Sequence, residues 1–175
     1  MKSLNHNLIY TLVMMKFFRF YLVLAAVLLP LCGWGQEKLF DKYSDMKNVK
    51  SVYISKPMLE MGPEYFTNIY LGSSTKKLNS VRLLSTSDSV VCKKLFKDIR
   101  SLLKPSDYKL LMKQKGTSTS SEFYVSKYVD IIEELIMLTY KEDKFLRFIY
   151  LEGKMTEKDV KDILLYQGTS DNVIH

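Results

Sequence analysis

The residue types that do chemistry are few in this chain of 175 residues. It holds two histidines, His6 and His175, and two cysteines, Cys32 and Cys92. Once an N-terminal segment ending near Gly35 is removed, as argued below, only Cys92 and His175 remain. Ser-His-Asp triads, HExxH zinc sites and Cys/His zinc clusters all need more than that. A single cysteine also forms no intrachain disulfide. The glycines Gly62, Gly72, Gly116, Gly153 and Gly168 stand singly, so none builds a phosphate-cradling loop, and no cofactor or metal is expected.

Three candidates for chemistry remain. Cys92 stands near a helix N-terminus beside Lys93 and Lys94, features that lower a thiol pKa, but it also lies on an apolar stripe, which favours a small buried hydrophobe. The acidic pairs Glu133 with Glu134 and Glu142 with Asp143 have the residue types for acid-base hydrolysis, which holds one acid and one base across a bond. Both fall where turns between strands are expected, and turns are charged for solvation. The hydroxyl cluster 117–121 lacks a histidine and reads as a hairpin loop.

Charge is distributed more informatively. Residues 76–115 carry eleven Lys or Arg against three acids, whereas residues 116–175 carry seven against eleven, so the fold is expected to be polarised. Lys93, Lys97, Arg100 and Lys104 recur at i, i+4, i+7 and i+11, which lines them along one helix face as a candidate contact for an anionic surface. Lys109, Lys113 and Lys115 share a strand parity opposite Tyr108, Leu110 and Met112, and are expected on the solvent side. The sequence leaves open whether the two rows meet.

The elements that must position these residues follow from periodicity. Residues 39–46 suit a short amphipathic helix and 49–55 a strand. Pro57 sits in the first turn of a helix that Gly62 and Pro63 end. Residues 64–79 read mostly as connection, and 80–86 as a second strand. The clearest helix runs from a Ser87 or Asp88 cap to just before Pro105, with Val91, Leu95, Ile99, Leu102 and Leu103 on its apolar stripe. After Pro105 the period changes from 3.6 to 2, and four strands with short polar connections suggest an antiparallel meander. Thr156 and Asp159 have the spacing of a capping-box variant at a final helix. The expected fold is α+β, an antiparallel sheet of about 4–6 strands with helices covering one face.

The stretch KFFRFYLVLAAVLLPLCGWGQEK, residues 16–38, has the layout of a secretory signal: Lys16 and Arg19, then an apolar run too short to span a bilayer. Cleavage is expected after Gly35, giving a signal peptide at 1–35 and one α+β domain at 36–175. The alternative is a lipoprotein anchored at Cys32, against which the large Leu31 argues. Translation starting at Met14 or Met15 would make the preceding residues no part of the signal. Cleavage removes Lys2, Lys16 and Arg19 and no acid, so the net charge falls from +7 to +4.

The run KLFDKYSDMKNVKSVYISKPML, the signal ending in GQ and the late LEGKMTEKDVKDIL together resemble an uncharacterised family of small exported proteins from Bacteroidetes, domain of unknown function 4252. The resemblance implies export and a bacterial envelope setting, and carries no catalytic residue. Phe40, Tyr43, Val52, Tyr53, Ile54 and Ser55, which match its pattern, look more like core than site.

Together these features point to an exported, periplasmic or secreted, non-enzymatic interaction or accessory module. Its expected partners are an envelope protein, an anionic glycan or a lipid surface. The alternatives are a hydrolase built on the acidic pairs, or a self-associating structural protein in which the strand VSKYVDIIEELIMLTY needs cover for an open edge. Export argues against nucleic acid, although basic and aromatic residues are interleaved.

Overall fold

The computed structural model describes residues 35–62, 65–66, 69–104 and 108–170. The expected signal peptide, apart from Gly35, lies outside them, as do Cys32 and His175. The described residues from Leu39 to Ser170 belong to one compact unit. In chain order the elements are α1 (Gly35–Ser44), β1 (Val49–Ser55), α2 (Lys56–Glu60), β2 (Tyr65–Phe66), β3 (Ile69–Tyr70), a 3-10 turn (Gly72–Lys77) and β4 (Leu78–Thr86). Then follow α3 (Ser89–Leu102), β5 (Lys109–Lys115), β6 (Ser120–Tyr128), β7 (Ile131–Lys141), β8 (Phe145–Met155) and α4 (Glu157–Ser170).

Six strands form one sheet in the order β1-β4-β8-β7-β6-β5, with every neighbouring pair antiparallel. β5 to β8 make the expected meander, and the fold is α+β. The helices, however, cover both faces rather than one. Leu135 and Met137 of β7 pack with Ile149 and Leu151 of β8 under Leu59, Val160 and Ile163. The alternate residues Ile136, Leu138, Phe148 and Tyr150 pack on the other side with Phe40, Tyr43, Leu95 and Ile99. This second side is the α3 face. Strands buried on both faces have no polar parity, which is why ELIML and FIYL read as continuous apolar runs.

Local signals set the element ends. The Asp88 carboxylate accepts from the backbone N–H groups of Val90 and Val91, 3.0 Å each, capping α3, and Asn48 donates to it at 2.9 Å. Asp159 accepts from the Thr156 N–H at 2.7 Å while Thr156 Oγ1 accepts from the Asp159 N–H at 3.3 Å, the reciprocal pairing of a capping box. Pro57 opens α2 and Gly62, at φ +78°, follows its end. Gly153 is where β8 passes close to the start of β4: a Cβ there would lie 2.3 Å from the Lys77 carbonyl oxygen.

Two segments differ from expectation. Residues 64–79 hold a small hairpin and the 3-10 turn, with Ile69, Leu71 and Leu78 fully buried. The apolar strand in VSKYVDIIEELIMLTY is β7, between β6 and β8, so it presents no edge; the sheet ends at β1 and β5.

Candidate functional site

Glu122 is a charged residue only 2 % exposed, on β6 facing α3. Sequence reasoning passed it over, although a carboxylate between the apolar positions of a core strand was its signal. Both its oxygens are saturated. Oε2 accepts from Arg100 Nη1 at 2.6 Å and from the Tyr124 hydroxyl at 2.6 Å. Oε1 accepts from Lys113 Nζ at 3.0 Å and from the Tyr140 hydroxyl at 3.1 Å. Register explains the convergence: Lys113 lies directly opposite Glu122, Tyr124 is two residues along the same strand, and Arg100 descends from α3. Burial works to raise the Glu122 pKa, but the Arg100, Tyr124 and Lys113 hydrogen bonds outweigh it and bring it to about 2. The guanidinium also rests 4.7 Å from the Phe96 ring centre, and Phe96 meets the Tyr140 ring edge-on at 4.9 Å.

Phe96 and Tyr140 of this cluster also line a cleft of about 530 Å³ between the first half of α3, the β5–β6 turn and the β7–β8 turn. Phe96, Tyr140 and Phe145 give it an aromatic lining, and Lys93 forms an ion pair with Asp143, also in the lining, at 3.1 Å. Cys92 borders the cleft but is buried, with Sγ 3.6 Å from the Thr86 carbonyl oxygen. Burial, then the charges of Asp88 and Asp143, push its pKa up, so the thiol stays protonated despite the neighbouring lysines.

The basic rows are brought together in part. From the stripe of Lys93, Lys97, Arg100 and Lys104, Arg100 reaches Glu122 on β6 and Lys93 reaches Asp143 in the β7–β8 turn. Arg100 and Lys93 hold carboxylates; Lys97 and Lys104 are exposed. On β5 a bulge between Leu110 and Met112 breaks the expected parity. Lys109 and Met112 oppose Val125 and Phe123, whose side chains lie on the far face. Leu110, Lys113 and Lys115 oppose Tyr124, Glu122 and Ser120 on the α3 face. The two rows therefore meet at Glu122, with Lys109 left on the other side.

Neither acidic pair is brought together as an acid and base across a bond: Glu133 falls at a bulge in β7 between Ile132 and Glu134, and Glu142 with Asp143 sits in the β7–β8 turn. Glu134 instead lies directly across from Glu152 of β8, a pairing invisible before the register is known. The Tyr108 hydroxyl donates to Glu134, and Ser80 Oγ to Glu152 at 3.1 Å. Tyr150 between them is held far above the usual phenol range by burial and then by these two charges. Among the described residues, no group of three His, Cys, Asp or Glu could hold a metal ion.

An antiparallel sheet between two helical layers, with the buried Glu122 pinned by two cations, defines a small α+β domain whose charge network ties a helix to the sheet margin. The chain belongs to the family described as Domain of unknown function (DUF4252), matched over residues 43–163, from α1 through the whole sheet into α4. No curated protein and no solved structure matches it. Of the family-pattern positions, Phe40, Tyr43 and Ile54 are core, whereas Tyr53 is exposed and stacks near Arg82.

Proposed function

We propose that this is an exported, non-enzymatic interaction module of the bacterial envelope, which binds an acidic partner through the face shared by α3 and β5. The observation that carries the reading is the convergence of two basic rows at Glu122. Arg100 and Lys113 hold Glu122 and Lys93 holds Asp143, while Lys97 and Lys104 of α3 and Lys115 of β5 are exposed. The surplus is positive and much of it is exposed, an arrangement that attracts anions at a distance and weakens with salt. Export is supported by the signal-like run at 16–35.

The test titrates the mature protein with polyglutamate and with phosphatidylglycerol vesicles at low and physiological salt. Parent protein should bind one of these ligands, and the Lys97→Gln, Lys104→Gln, Lys115→Gln triple variant should bind it more weakly. Arg100 is left intact because it anchors Glu122. Equal binding by both proteins, or none by either, removes the reading.

An acid-dependent hydrolase is the second reading, and what favours it is Glu134 opposite Glu152 with Tyr108 on Glu134. Turnover of a broad ester, glycan or peptide panel that Glu134→Gln abolishes would put an enzyme in place of the binding module.

A further inference from the structure

β5 is the last strand of the sheet, and among the described residues nothing pairs with its outer edge. An open edge is a row of unmet N–H and C=O groups, which proteins ordinarily cover, shorten or charge. Here all seven residues of Lys109–Lys115 are exposed, including Leu110 at 53 %, Leu111 at 50 % and Met112 at 37 %. Three apolar residues in the middle of an uncovered edge are more than solvation requires. The flanking lysines decide what can lie against them.

Four registers of a second copy of β5 are disfavoured by arithmetic. Antiparallel pairing centred on Leu111 sets Lys109 opposite Lys113, and centring on Met112 sets Lys109 opposite Lys115. Centring on Lys113 sets that lysine opposite itself, and centring on Gln114 sets it opposite Lys115. Like charges directly opposite are destabilising, so each of these registers is penalised. An acidic strand meets the reverse situation, with cations on both sheet faces: Lys109 on one, and Lys113 and Lys115 on the other, where Arg100 of α3 also reaches.

We propose that β5 accepts an extended acidic segment of a partner protein, which adds to the sheet as a seventh strand. The backbone edge supplies the hydrogen bonds, Leu110, Leu111 and Met112 supply apolar contact, and the lysines select acidic side chains. This rests on the reading of the α3 and β5 face as the binding surface and names its occupant.

The probe is a short peptide of alternating glutamate and valine, compared with polyglutamate and with phosphatidylglycerol vesicles. Hydrogen exchange is followed at the amides of residues 109–115, and light scattering is recorded without ligand. Peptide binding should slow exchange in β5, and Lys109→Glu with Lys115→Glu should weaken it about tenfold with unchanged thermal unfolding. Polyglutamate, charged but poor in strand formers, should bind more weakly and leave β5 exchange unaltered. Peptide binding without β5 protection, protection at β1 instead, or a ligand-free dimer that protects β5 would overturn strand addition. If polyglutamate or vesicles bind as well as the peptide and β5 stays unprotected, strand addition falls and the anionic-partner reading stands. If no probe binds, both fall.

Discussion

Arg100 of α3 and Glu122 of β6 meet at 2.6 Å, with the carboxylate buried and the guanidinium about one-third exposed. A buried carboxylate losing a cationic partner leaves an uncompensated charge, and this costs more than the pair itself contributes. Arg100→Ala is therefore expected to destabilise by about 2–4 kcal/mol, whereas Arg100→Met combined with Glu122→Leu should cost much less than the two single changes added. Urea unfolding of the four proteins in the cycle measures this.

The same carboxylate gives a pH dependence. Its folded pKa of about 2 lies below the ordinary 4.5, so its contribution is complete above pH 4.5 and is lost as pH falls through 2. A shift of that size corresponds to about 3 kcal/mol at most. Between those pH values the parent should lose stability more steeply than Glu122→Gln does. Parallel slopes would show that Glu122 does not carry the acid sensitivity.

Gly153 and Gly62 should respond differently to alanine. At Gly153 the added Cβ meets Lys77 backbone at 2.3 Å and Leu78 Cα at 2.6 Å, so β8 and β4 must separate. At Gly62 no atom lies within 4 Å, and only the left-handed backbone, φ +78°, resists substitution. We expect about 2–4 kcal/mol lost at Gly153 and about 1–2 kcal/mol at Gly62, read from thermal unfolding midpoints.

Much of this architecture is legible in the residues themselves. The Asp88 cap, the Pro57 helix start, the Thr156–Asp159 box and the strands of the meander all rest on short-range rules, and they stand where those rules put them. Long-range pairing is what the sequence conceals. A single extra residue at Leu111 moves Lys109 to the opposite face from Lys113, and no local signal marks that bulge. Glu134 finds Glu152 only through the β7–β8 register. The double-sided sheet was announced by the unbroken apolar runs of β7 and β8, which a one-face reading overlooks.

Cys92 should be unreactive in the folded protein. Its thiol is buried and its pKa raised, so a thiol reagent should modify it only as fast as the domain unfolds. Rapid modification under native conditions would place it in an open, activating site instead.

The mature N-terminus is expected at Gln36, in a soluble periplasmic or secreted fraction. Intact mass of the protein purified from its native cells and their medium checks this. A diacylglyceryl group on Cys32 would make it a lipoprotein.

The salt dependence of acidic-ligand binding tests the central claim most directly. Affinity for polyglutamate, measured across a salt series, should fall steeply for the parent, and the slope should flatten in the Lys97→Gln, Lys104→Gln, Lys115→Gln variant because fewer charges are engaged. Identical slopes and affinities for the two proteins would show that the face shared by α3 and β5 is not where this protein binds.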